Sequence, residues 1–153
     1  MNHKDYRNIG TLVAVDSAEM QASLIDAFKA AGFATLRQAD SEEQLRETLG
    51  SADLDLIVIS SVIKDRYVAP MISEIRRGRL GPRPFPIVIA LVTDSDPAAL
   101  RQVSNCGPDD IIALPCAPQT LLDRINLFLG GARRPLVVNE GYAGPERRVK
   151  ARE

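Results

Sequence analysis

The sequence predicts a three-layer α/β domain, a five-stranded parallel sheet with helices on both faces. Three observations carry this. Short β-rich runs alternate with segments of helical apolar spacing five times between residues 9 and 131. Two of the runs, Leu54–Ile59 and Ile87–Val92, are nearly continuous in apolar residues, as strands buried on both faces are. The connections are short, and such alternation forces parallel strands joined by right-handed crossovers.

Each element has its own signal. Residues 1–8 form a polar lead-in that holds the only histidine, His3, which reads as incidental. Thr11–Val15 is the first strand, and Met20, Leu24, Ala27, Phe28 and Ala31 mark the first helix, stopped by Gly32 at C′. Phe33–Ala39 is a second strand of thin apolar content. Ser41-Glu-Glu-Gln44 has the form of a capping box, followed by Leu45 and Leu49 one turn apart. The third strand lies in Asp53–Ser61, entered through two aspartates and left through two serines. Ser61–Ala69 reads as a loop, and Pro70 suits the first turn of a helix through Met71, Ile72 and Ile75 that closes at Gly78.

Residues 79–86 hold three prolines and a glycine, which excludes regular structure there. Ile87–Val92 is the fourth strand. Asp96-Pro97 is an N-cap followed by proline at N1, and Leu100 and Val103 supply the buried side of the fourth helix. Ile111–Leu114 is the fifth strand, and Leu121, Leu122, Ile125, Phe128 and Leu129 mark a last helix that ends at Gly130-Gly131. The division is thus a lead-in over 1–8, a domain over 9–131 and a basic C-terminal tail over 132–153.

Bulk properties exclude several classes. With 45% hydrophobic and 25% charged residues the chain has globular composition. A net charge of -1 gives no overall field toward nucleic acid or a membrane. Cys106 and Cys116 stand without a CxxC or a histidine set, so neither zinc nor a disulfide framework is indicated. No secretory signal and no apolar run of about 20 residues is present, so the expected location is the cytoplasm, with no membrane partner. After the first strand, Asp16-Ser-Ala-Glu-Met20 replaces any GxGxxG turn, and the absence of Trp and of a Ser/Thr/Gly loop argues against a flavin site. Scattered aspartates near strand ends, Asp53, Asp55, Asp65, Asp94 and Asp96, read as turn and capping chemistry.

An aspartate after the first strand, a third strand introduced by Asp-Leu, the Ile75-Arg76 pair, and a glycine and a proline around the fifth strand resemble the CheY-like receiver domain of bacterial two-component response regulators. The resemblance covers residues 9–130 and implies a flavodoxin-like (βα)5 fold with strand order 2-1-3-4-5. It also implies a phosphorylation site, here degenerate. The phosphoacceptor aspartate of the family corresponds to Ser60, five residues after Asp55. The paired metal-binding acids correspond to Asp16 with Ser17. The switch hydroxyl falls on Leu91 or Val92, with Thr93 adjacent. The aromatic switch position is Ile111, and the family's lysine is replaced by Leu114, just before Pro115, where receivers carry a cis peptide. Without the acceptor carboxylate, the second acid and the lysine, neither Mg²⁺ nor a phosphoryl group has its charge compensated. The resemblance therefore implies a pseudo-receiver with no catalytic residue and weak or no Mg²⁺ binding, acting through a protein partner or a homodimer. Its expected face is formed by the fourth and fifth helices and the strand between them. Too few residues follow the last helix for an output domain.

Two basic clusters remain. Arg76, Arg77, Arg79 and Arg83 read as a solvated face at a helix C-terminus. In the tail, Arg133, Arg134, Tyr142, Arg147 and Arg148 combine paired guanidiniums with an aromatic, which suits a nucleotide ligand. This tail resembles the arginine-rich extension with which some degenerate receivers bind cyclic di-GMP, although it does not match the PilZ-type order. Two further readings of the tail stay open: a disordered or partner-ordered segment, or an added edge strand at Leu136–Val138.

Overall fold

Alternation within single strands builds the two halves of the core. In the computed structural model, which describes residues 5–93 and 96–147, the third strand β3 (Leu56–Ser60) is buried at every position. Leu56 and Val58 pack on one face of the sheet, and Ile57 and Ile59 on the other. The first strand β1 (Thr11–Ala14) divides in the same way, with Val13 on the first face and Leu12 and Ala14 on the second.

The first face is covered by helices α1 (Ala18–Ala31) and α5 (Pro118–Leu129), through Leu24, Phe28, Leu121 and Ile125. The second is covered by α2 (Glu42–Ser51), α3 (Pro70–Arg76) and α4 (Pro97–Ser104), through Leu45, Leu49, Ile72, Ile75 and Val103. With β2 (Leu36–Gln38), β6 (Ile87–Val92) and β7 (Asp110–Ala113), the sheet runs β2-β1-β3-β6-β7, all neighbours parallel. Two short strands, β4 (Val62–Ile63) and β5 (Arg66–Tyr67), pair in a hairpin of their own, so this is the expected order 2-1-3-4-5 with two short strands interpolated.

Local signals hold with small adjustments. Gly32 caps α1 at φ 108, in the left-handed region that glycine enters without cost. Ser41 Oγ accepts from the Gln44 N–H, but the Gln44 side chain reaches back to the N–H of Asp40, one residue before the expected partner. Asp96 caps α4 by accepting from Ala98 and Ala99. The second strand is shorter than expected, three residues at the sheet edge. The lead-in is not detached from Asp5 onward: Tyr6 stacks on Phe33 with ring centroids 4.5 Å apart, and the Arg7 carbonyl accepts from Thr35 Oγ1. His3 and Asp94 lie outside the described residues.

The tail is where the structure departs most from expectation. Leu136–Val138 and Ala143–Pro145 pair as an antiparallel hairpin, β8 and β9, which forms its own two-stranded sheet and adds nothing to the main one. Up to Arg147 the tail is an ordered part of the domain, with Tyr142 and Ala143 buried. The backbones of Gly107 and Gly144 touch: a Cβ on Gly107 would lie 2.2 Å from the Ala143 carbonyl oxygen.

Candidate functional site

Strand β3 delivers Ser60 to the C-terminal edge of the sheet, where α/β folds place their ligands. Its side chain is not free there. Ser60 is 4% exposed, and its Oγ accepts from the Asp16 N–H at 3.2 Å. The exposed Asp16 follows β1 but does not cap α1; that role belongs to Ser17, whose Oγ accepts from the Met20 N–H. The Asp16 carboxylate instead accepts from the backbone N–H of Lys64, 2.8 Å from Oδ1.

Lys64 comes from a segment expected to be a loop. Val62–Ile63 and Arg66–Tyr67 pair antiparallel as β4 and β5. The two residues between them, Lys64 at φ 50 and Asp65 at φ 65, make the turn in the left-handed region. This is the geometry of a two-residue type I′ hairpin, whose twist matches the strands. Asp65 is a residue that turns favour, as expected, but Lys64 carries no turn signal and neither residue is the Gly or Asn that most often marks a type I′ turn. Left-handed backbone costs a non-glycine residue roughly 1–2 kcal/mol. The Lys64–Asp16 bond, an Arg66–Glu42 ion pair at 3.0 Å, and the Val68 and Ala69 N–H groups bonded to the Ser61 carbonyl hold the hairpin across this edge. Tyr67, on its outer strand, has its phenol pushed up to about 12, first by burial and then by the neighbouring Cys106.

Of the other expected positions, Val92, Thr93, Leu114 and Pro115 lie at the same edge, while Ile111 sits in the body of β7. Val92 ends β6 and is buried at 2%, so it offers a branched hydrocarbon where a hydroxyl is needed; Leu91 is buried likewise and pairs with Ser60. Thr93 follows the strand and is exposed. Leu114 lies just past β7, donates its N–H to the Val92 carbonyl, and packs its side chain on the α1–α5 face. The Leu114–Pro115 peptide is cis. Ile111 is half-buried on β7 against the α2–α4 face. Cys116 packs beside the same core as Leu114, and burial pushes its thiol up. As ligands for a hard divalent cation, Ser60 and Asp16 offer one hydroxyl and one carboxylate that already holds an N–H; Mg²⁺ asks for an octahedron of oxygens. Among the described residues no group of three or more His, Cys, Asp or Glu stands ready for a metal.

The tail arginines serve another purpose at the opposite end of the sheet. Arg76, expected on a solvated face, is 2% exposed. Its guanidinium donates to the carbonyls of Gly107, Pro84 and Pro86 and, at 2.8 Å, to Asp109 Oδ2. The Asp109 side chain is 1% exposed and also accepts from the Val88 N–H and from Arg133. Burial lowers the Arg76 pKa and the Asp109 charge opposes that fall, but a guanidinium stays protonated at any working pH. Arg133, a proposed ligand contact, thus bonds the body of the domain. Arg134 donates to the carbonyls of Glu146 and Arg147; Arg147 bonds Asn105 Oδ1 at 2.7 Å and lies 4.1 Å over the Tyr142 ring. Tyr142 donates its own hydroxyl to the Pro145 carbonyl. Arg148, the last of the expected tail contacts, lies outside the described residues, as do Lys150 and Arg152. Arg134, Tyr142 and Arg147 do meet at one groove of about 400 Å³, between α4, α5 and the hairpin.

No protein-family model matches the sequence, and no curated protein is found to be similar to it. Solved structures are similar. The response regulator DrrB, an OmpR/PhoB homolog of Thermotoga maritima, superimposes with a TM-score of 0.69 at 19% identity over 85% of this chain. A CheY-like response regulator receiver domain protein from Methanospirillum hungatei gives 0.69 at 17% identity, covering 78% of this chain and 92% of its own. HP1043, an orphan response regulator of Helicobacter pylori, gives 0.68 at 18% identity, covering 80% and 98%. The chain has the receiver-domain fold. It spans 56% of the DrrB chain. Among the described residues of this receiver fold, no helix is long and apolar enough to cross a membrane. In receiver terms, the hairpin β4–β5 is the segment between the third strand and third helix, and the arginine-latched tail is an addition beyond the fifth helix.

Proposed function

We propose that this receiver fold is a non-phosphorylatable signalling module, without enzymatic activity, that works by binding a protein partner. The observation that carries the reading is the closed set of bonds at the sheet edge. The Asp16 N–H is held by Ser60 and the Asp16 carboxylate by the Lys64 N–H, so the chain itself takes up the groups that Mg²⁺ and a phosphoryl oxygen would need. Phosphoryl transfer depends on positioning and charge compensation. Here Ser60 replaces the attacking carboxylate, Leu114 the cation, and Val92 the hydroxyl. A serine phosphate, were one made by another kinase, would be a stable ester rather than a labile mark. The partner face is that of α4, β7 and α5, where Leu100, Ile111, Ala113 and Phe128 leave apolar surface uncovered or partly so.

The arginine-tail nucleotide reading has less support. Stacking on Tyr142 is already used by Arg147, and Arg133 is committed to Asp109. The test of the main reading is the addition of Mg²⁺ with beryllofluoride, followed by amide NMR. No shifts are expected at Asp16, Ser60 or Thr93; a saturable set of shifts there would overturn it.

A further inference from the structure

The groove at the tail does not end at the tail. A second recess of about 370 Å³ is lined by Leu100, Arg101, Ser104, Ile111 and Ala113. Ser104 and Ile111 line both recesses, so the two run into one another beside α4 and the edge strand β7. One end is apolar, with Leu100, Ile111 and Ala113. The other is cationic. Arg134 and Arg147 are exposed on its walls, while Arg101 is exposed on the wall of the apolar recess; among the described residues no ion pair joins any of the three to a carboxylate. Two of the three acids of the lining are spent: Asp109 faces Arg76 and Arg133, and Asp110 is paired with Arg124, while the third, Glu146, is exposed. Arg101, Arg134 and Arg147 against Glu146 leave the groove locally positive on a chain of net charge -1.

We propose that this composite groove is the docking site for an acidic peptide segment of a partner protein, one that carries apolar side chains for the recess beside α4 and carboxylates for Arg101 on its wall and for Arg134 and Arg147 at the tail end. The proposal rests on the partner-binding reading above and names the partner's chemistry. The tail is what makes the site, since the hairpin latched through Arg133 brings Arg134 and Arg147 to the groove wall. Docking is through side chains. The exposed edge of β7 does not offer a free ladder, because the Ile111 N–H is already bonded by Asp110 Oδ1 at 2.9 Å. An added strand would first have to break that bond. A nucleotide fits less well, because the apolar half gives a phosphate or ribose nothing to bond and the aromatic face is occupied by a guanidinium.

The test uses the full chain and three probes, read by fluorescence anisotropy and amide NMR. The probes are a labelled dodecapeptide of alternating glutamate and leucine, its lysine–leucine counterpart, and cyclic di-GMP. Binding of the first alone is expected, with shifts at Ser104, Ile111, Phe128 and Tyr142 and weakening as salt rises. Arg101→Glu with Arg147→Glu should reduce affinity roughly tenfold, from two lost exposed charge contacts. Because Arg147 also helps hold the tail, Arg101→Glu alone serves as the second variant. It lies on the open surface of α4 and should cost about threefold with an unchanged melting curve. Absent binding, equal binding of both peptides, or variants without effect would overturn the proposal. Peptide binding that maps to another face would overturn the groove while leaving the partner reading intact. Shifts of the groove residues by cyclic di-GMP alone would replace it with the nucleotide reading.

Discussion

Removing the Asp109 carboxylate is expected to be among the costliest single changes in this domain, although no sequence signal marks it. Its two oxygens accept four N–H groups: Arg76 Nη2 and the Val88 N–H at 2.8 Å, and Arg133 at 2.9 and 3.2 Å. Asp109→Ala leaves the Arg76 guanidinium buried without its counter-charge. Breaking a buried pair from one side costs about 3–5 kcal/mol, because the remaining ion keeps its desolvation penalty. Arg76 retains three carbonyl acceptors, those of Gly107, Pro84 and Pro86, which places the expected loss near the lower end, about 3 kcal/mol. Against the usual total of about 5–15 kcal/mol, that is a large share. Urea unfolding followed by far-UV circular dichroism measures it; with a slope of roughly 1–3 kcal/mol/M, the midpoint should fall by about 1–3 M. Arg133→Ala should cost distinctly less, about 1–2 kcal/mol, because that side chain is 24% exposed and its loss leaves Asp109 still paired with Arg76. A loss below about 1 kcal/mol for Asp109→Ala, or equal losses for the two variants, would refute the account of the cluster as a buried latch.

Two further outcomes follow from the two ends of the sheet. Ser60→Asp restores the acceptor atom of a receiver but should not take up phosphate from acetyl phosphate with Mg²⁺, as checked by intact-protein mass spectrometry; a gain of one phosphate would show that Val92 and Leu114 are no obstacle. The same variant places a carboxylate at a 4% exposed site and should lose several kcal/mol of stability in urea. Gly107→Ala should release the hairpin, since the new Cβ would meet the Ala143 carbonyl at 2.2 Å and the backbone sits at φ 99. Limited trypsin digestion is expected to cut the variant after Arg133 much faster than the parent chain, and an unchanged rate would mean that the hairpin is not seated on Gly107.

What was legible in the sequence depended on the range of the interaction. The five-fold alternation, the buried runs of β3 and β6, the Asp96-Pro97 cap and the Gly32 stop are local patterns, and each lies where periodicity and capping chemistry put it. Strand ends were legible as well: Ser60 closes β3, and Leu114, just past β7, precedes a cis proline. The β4–β5 hairpin was missed because Asp65 alone marks a turn without marking its type, and Lys64 enters the left-handed region held by a bond from residue 64 to residue 16. The Arg76 cluster was missed for the same reason on a larger scale. Arginine at the end of a helix usually faces water, and only the fold brings residues 76, 109 and 133 together in the interior.

The tail separates two meanings of an arginine-rich segment. A guanidinium recognises any array of oxygens with matching geometry, and Arg133 and Arg134 find such arrays in Asp109, the Pro86 carbonyl and the carbonyls of Glu146 and Arg147. Composition alone therefore could not distinguish a ligand-binding tail from one that uses the same chemistry to fasten itself down. Once fastened, it alters the domain's surface: Arg133 is consumed by the latch, while Arg134 and Arg147 keep part of their donor capacity facing the groove beside β7. At the other end, the Lys64 N–H meets the Asp16 carboxylate and the Asp16 N–H meets Ser60 Oγ, so the hairpin is bonded across the sheet edge. The two changes have a common direction. Groups of the sheet edge bond within the chain, and the tail adds fixed charge beside the face proposed for a partner, so the proposed function is best sought in what that face binds.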